Sequence, residues 1–243
     1  MRKYMSAGLV AALLMPLPKL AEAASLQVAP VILEIPAPGA SATIKLRNEG
    51  TTALNAQVRV FRWTQVNGEE KLEPSDAVVA SPPIISLAAK SDYVVRVVRL
   101  SKQPIASGET YRLLVDELPD PARQRHGTVA IVLRYSIPVF FYSAQAAAPK
   151  LTWSTSQRGG QVFVTATNDG DRHVRLADLK LDAGQGRSIA FGNGLAGYVL
   201  GHSSMRWAVT NSKHRLGAGN PVAISAQSDA GPVGASSIMQ AAR

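Results

Sequence analysis

Short runs of alternating apolar and polar residues, each bounded by turn residues, dominate this chain. Residues 42–48 alternate, and so do residues 56–63. Pro38-Gly39 precedes the first run, Asn48-Glu49-Gly50 separates the two, and Asn67-Gly68 follows the second. A period of two places every second side chain on one face, the pattern of a half-buried strand. Pro82-Pro83 closes the next loop, and apolar patterning resumes over residues 84–87. Residues 93–100, 111–118 and 129–141 predict three more strands. A second set follows at 151–154, 161–168, 174–181, 197–200, 204–210 and 221–227. The turn Asn168-Asp169-Gly170-Asp171 separates two of its members. Residues 228–243 are small and polar, and read either as a final weak strand or as a frayed tail.

Many short strands with few helical patterns predict an all-β chain built as sandwiches. Residues 144–150 are rich in small side chains, and Pro149 blocks a continuous helix there. The predicted organisation is therefore a first domain over 24–143, a linker over 144–150, and a second domain over 151–243.

Residues 1–23 read as a processing segment. Arg2 and Lys3 give a positive start, residues 7–17 are apolar but too short to span a bilayer, and Ala21-Glu22-Ala23 is a small-x-small cleavage site. Cleavage there predicts an exported chain beginning near Ala24. Loss of Arg2, Lys3, Lys19 and Glu22 would lower the formal net charge from +9 to +7. No later stretch has the length and apolarity of a transmembrane helix, so the expected product is not membrane-embedded. Cysteine is absent. Folding must then rest on burial without disulfides, and two domains of roughly 100–120 residues suit that demand.

The basic excess changes the picture little. Arg59, Arg62, Arg96, Arg99, Arg158 and Arg172 are scattered singly, with no dense basic helix, so nucleic acid is not an expected partner. His126, His173, His202 and His214 lie far apart, at no metal-ligand spacing, and read as surface loop residues. Gly192-Asn193-Gly194-Leu195-Ala196-Gly197 matches G-x-G-x-x-G literally. However, strand and turn follow it instead of a helix, and no acid lies between Asp182 and Asp229. No cofactor, metal site or catalytic set is expected.

The run from Val129 to Pro138 is the most informative. Val129, Ile131, Leu133, Tyr135 and Ile137 share one strand face, and Ala130, Val132, Arg134 and Ser136 share the other. Spacing alone fits an ordinary core strand.

Several blocks together resemble the periplasmic chaperones of the chaperone–usher pilus pathway. They are Val58-Arg59-Val60-Phe61-Arg62-Trp63, Ser81-Pro82-Pro83, Tyr111-Arg112-Leu113-Leu114-Val115-Asp116-Glu117-Leu118-Pro119 and Leu133-Arg134-Tyr135-Ser136-Ile137-Pro138-Val139-Phe140. In the second half the likeness rests on Asn168-Asp169-Gly170 and Gly197-Tyr198-Val199-Leu200. The resemblance implies two immunoglobulin-like β-sandwich domains set at an angle, a periplasmic location, and no enzymatic activity. It implies pilus subunits and an outer-membrane usher as partners. Subunits of that kind lack a final strand, which the chaperone lends by adding its own to the sheet edge. The resemblance places that donor strand at 129–137, with Val129, Ile131, Leu133, Tyr135 and Ile137 as its apolar row.

One departure matters. Positions where many members carry an Arg and a Lys that grip the subunit's terminal carboxylate fall here on Pro30 and Pro138, which cannot do so. The pattern resembles the archaic branch instead, in which an Arg on the preceding strand serves, and Arg112 matches it. From the residues alone, Arg112 is equally a surface arginine pairing with an acid such as Glu109. The alternative for the whole chain is a free-standing exported immunoglobulin-like binding or adhesion module, which would bind through loops.

Overall fold

The computed structural model describes residues 25–119, 131–184, 186–210 and 216–241. Those residues form strands and connecting turns, with no helix among them. Among the described residues the first domain holds ten strands: β1 (Leu26–Ala29), β2 (Leu33–Pro36), β3 (Ser41–Asn48), β4 (Leu54–Val66), β5 (Glu69–Pro74), β6 (Val78–Ser81), β7 (Ile84–Leu87), β8 (Asp92–Arg99), β9 (Gly108–Leu118) and β10 (Arg134–Tyr142). Two sheets result, one in the order β1-β3-β8-β6 and the other β2-β10-β9-β4-β5, with β7 also paired to β4. Alternating residues of both sheets meet in one core, including Ile44, Leu46, Val95, Val97, Val58, Leu113, Val115, Ile137, Val139 and Phe141. This is the sandwich that the alternation predicts.

The described residues of the second domain form eight: β11 (Leu151–Arg158), β12 (Gln161–Asn168), β13 (Val174–Asp182), β14 (Ser188–Ala190), β15 (Leu195–Val199), β16 (Ser203–Thr210), β17 (Pro221–Ser228) and β18 (Gly231–Ala241). They run in the order β14-β13-β17-β18-β11-β12-β16, with β15 beside β13. β18 joins the two halves, pairing β17 along its first residues and β11 at Met239–Ala241. Val162, Val164 and Ala166 from one half meet Leu176, Leu181, Val222 and Ile224 from the other in a second core. The tail whose fate was open is thus a strand as far as Ala241.

The strands absent from the sequence reading have a common cause. β5 is exposed at every position and carries Glu69, Glu70, Lys71 and Glu73, so it has no apolar alternation to detect. β1, β2 and β6 are four residues long and β14 three, too short for a period to register. The strand expected over 129–141 starts at Arg134; residues 131–133 precede it, and Val129 lies outside the described residues. The literal G-x-G-x-x-G segment runs from the loop after β14 into β15.

Candidate functional site

The second sheet of the first domain has two working faces. Register pairs Phe61 with Arg112, Trp63 with Leu72, Gln65 with Glu70, and Arg112 with Pro138. Because paired residues share a face, Arg112, Trp63, Gln65, Glu70, Pro138 and Phe140 stand opposite the core. The other face carries Leu113, Val115, Ile137 and Val139 into the sandwich.

β10 pairs with β9 along its whole length, from Arg134↔Asp116 to Tyr142↔Gly108. On its other side β2 covers only Val139 to Tyr142, in parallel. Residues 134–138 therefore border a sheet edge with no ladder partner among the described residues. An open edge of this kind is a template for another strand. The expected apolar row runs along it and out of the molecule. Ile137 is 2% exposed in the core, Tyr135 and Leu133 are half-buried against it, and Ile131 is 83% exposed. The Tyr135 hydroxyl donates to the Leu26 carbonyl at 2.6 Å, tying β10 to β1. The row is thus core at one end and available at the other, because the chain before Arg134 lies outside the paired part of the sheet.

Backbone and charge hold this strand in register as it leaves. The Glu117 amide donates to the Leu133 carbonyl at 2.8 Å, extending the pairing beyond Arg134. Asp116, largely buried, accepts from Arg134 Nε and from Arg59 Nη2, the latter at 2.7 Å. These two guanidinium groups hold the Asp116 carboxyl below its usual range, against the opposing push of burial.

At the far end of the same face the two domains meet. Trp63, Phe140, Tyr198 and Leu200 form a buried cluster across the junction. Trp63 meets Tyr198 edge-on at 5.4 Å between ring centroids. Gln65 Nε2 donates to the Tyr198 carbonyl at 2.7 Å, and the Leu200 amide donates back to Gln65 Oε1 at 3.0 Å. The Asn67-Gly68 turn reaches the second domain: the Arg206 amide donates to the Gly68 carbonyl at 2.9 Å. Gly68 has φ of 81°, and a Cβ there would lie 2.8 Å from the Arg206 Cβ, so only glycine fits both the turn and the approach.

Arg112 lies in this junction. Its guanidinium sits 3.7 Å from the Trp63 ring centroid and 5.4 Å from that of Tyr198, and the side chain is 12% exposed. Burial lowers its pKa. Its acidic partner is Glu70, with Nη2 to Oε1 at 3.6 Å. Glu109, the acid named from sequence, is held instead by Arg99, through Nε at 2.9 Å and Nη2 at 2.7 Å. Arg112 is therefore no ordinary surface arginine.

His173 also departs from its expected surface place. Its side chain is 6% exposed, stacked on Phe140 at 3.5 Å and 8°, with Nε2 3.3 Å from Glu34 Oε1. Burial lowers its pKa to about 4. His202 is more than half exposed and pairs with Asp171, while His126 and His214 lie outside the described residues. Among the described residues, no group of three or more His, Asp or Glu could hold a metal ion. No helix among them is long and apolar enough to cross a membrane.

Residues 25–146 match the family model described as pili and flagellar-assembly chaperone, PapD N-terminal domain. No curated protein matches the chain by sequence. Among solved structures, the chain is similar to the archaic chaperone–usher Csu pilus pre-assembly complex of Acinetobacter baumannii, CsuC with the tip adhesion subunit CsuE. That match has 25% identity and a TM-score of 0.66, covering 90% of this chain and all of the other. The CupB2 chaperone of Pseudomonas aeruginosa matches at 18% identity and a TM-score of 0.54, over 86% of this chain and 98% of its own. The SafB chaperone of Salmonella enterica, solved with the SafA pilin, matches at 15% identity and a TM-score of 0.58, over 89% and 98%. The last two support the two-domain fold alone.

Proposed function

This chain belongs to the pili and flagellar-assembly chaperone family, and we propose that it holds pilus subunits in the periplasm by lending them the strand over 129–137 and then delivers them to an outer-membrane usher. The family is one of chaperones, not of enzymes. The observation that carries the strand loan is the half-covered edge of β10, with an apolar row that begins in the core at Ile137 and ends in solvent at Ile131.

A subunit strand placed beside residues 134–138 would continue the ladder by backbone hydrogen bonds. Alternate side chains from 129 to 135 would enter its groove. Ile131 gains most, about 1.5–3 kcal/mol on full burial. Leu133 and Tyr135 gain less, since their own core already covers most of each. The total is offset by the several kcal/mol that association costs. A complex so balanced holds a subunit yet yields it to a competing strand without chemical energy. The terminal carboxylate of the subunit would reach Arg112, whose planar donors can bind both oxygens. An N-terminal export signal over residues 1–23 accounts for the periplasmic setting.

Ile131→Asp tests the loan. This side chain is exposed, so the free protein should keep its melting temperature. Recovery of a co-expressed subunit, encoded beside this gene, should fall at least tenfold. Full recovery of the subunit by a folded variant would reject the assignment.

A further inference from the structure

β5 is an edge strand exposed throughout, yet one of its acids reaches a buried cation at the domain junction. Glu69 pairs with Arg206 and Glu73 with Lys71, at the surface. Glu70 stands across from Gln65 and reaches the buried guanidinium of Arg112. A cation taken out of water needs an anion nearby, or the site that holds it is destabilised. Glu70 supplies one without closing the contact. Its 3.6 Å is beyond the 2.7–2.9 Å of a charge-assisted hydrogen bond, and no two-pronged fork forms. Trp63 Nε1, a second donor at the same junction, is buried without an acceptor among the described residues. The junction thus contains donors that its own acid leaves unsatisfied.

Resting on the reading of Arg112 as the anchor, we propose that Glu70 is an internal stand-in for the client's terminal carboxylate. It neutralises Arg112 while the cleft is empty, and the incoming carboxylate displaces it. Two features make the exchange easy. Glu70 is about one-third exposed on an edge strand, so its side chain can turn to solvent without disturbing the core. An arriving carboxylate can close on both arms of the guanidinium, which Glu70 does not. Two carboxylates cannot share the cation at no cost, so Glu70 weakens by a fixed factor those clients that end in a free acid.

The probe is a peptide copying the last strand of the subunit encoded beside this gene, made as the free acid and as the terminal amide. Titration calorimetry on the full chain should show the acid binding at least tenfold tighter than the amide. Arg112→Ala should erase that preference. Glu70→Gln should tighten the acid three- to tenfold and leave the amide unchanged, and it should gain nothing when combined with Arg112→Ala. Glu70→Ser serves the same purpose should the glutamine variant fold poorly. A preference that survives Arg112→Ala would overturn the anchor reading itself. A preference lost in Arg112→Ala, with acid affinity unmoved or weakened in both Glu70 variants, would overturn the stand-in alone.

Discussion

Phe140 and His173 share the closest ring contact across the junction, and the histidine is where acid should act first. Its folded pKa of about 4 lies below the ordinary 6.5 because burial disfavours the imidazolium. The unfolded chain therefore binds a proton between pH 6.5 and 4 that the folded chain refuses. Stability from this group is complete above pH 6.5 and is lost as pH falls toward 4, by roughly 3 kcal/mol at most. His173→Phe should flatten that part of a curve of unfolding free energy against pH, while the parent keeps a slope there. An unchanged slope would show that other groups set it. Sequence spacing had no means to find this residue. His173 follows the Asn168–Asp171 turn, a surface address, and its burial is created by β2 and β10 of the other domain. Arg112 differs: its identity as a candidate was legible from a motif, but its stacking on Trp63 and its pairing with Glu70 were not.

At the scale of the element, two buried asparagines repay comparison. Asn48 ends β3 and donates to the carbonyls of Thr52, Leu87 and Ala88, while its Oδ1 accepts from the Gly50 amide. Asn168 ends β12 and donates to the carbonyls of Arg172, Val199 and Leu200, while its Oδ1 accepts from the amides of Lys150 and Gly170. Each domain thus closes a strand end with one amide side chain spent on a bend and on a neighbouring strand. The sequence marked both as turns, since Asn-x-Gly favours them; it could not mark them as fully buried. Asn168→Ala should cost roughly 2–4 kcal/mol in denaturant unfolding, because several carbonyls lose their donor together. A loss under 1 kcal/mol would mean that water replaces the amide. The hairpin arm of β4 and β5 teaches the complementary lesson. Asn67-Gly68 is a strong two-residue hairpin signal, but the partner strand is exposed throughout and mostly charged. It exists because β4 offers an edge and Arg112 and Arg206 receive its acids.

Across the whole molecule, the junction is held by few groups of high value. Gln65 makes two hydrogen bonds to the backbone of the second domain, and the aromatic cluster seals them from water. Gln65→Ala should leave each sandwich intact but separate their unfolding. Calorimetry should then resolve two transitions where the parent shows one, and persistence of a single transition would show that the aromatic contact suffices. Alternating hydrophobicity by itself determined that the chain is all-β, where most of the longer strands lie, and that one apolar row lies at 129–137. Those are local properties, set by which face of a pleated strand each side chain takes. Only the tertiary structure decided that the ladder of β10 begins at Arg134, leaving Ile131 in solvent while Ile137 is core. It alone also brought Arg112, Glu70, Trp63 and Tyr198 together. Those contacts join residues tens of positions apart, and no periodicity within a strand records which strand will lie beside it.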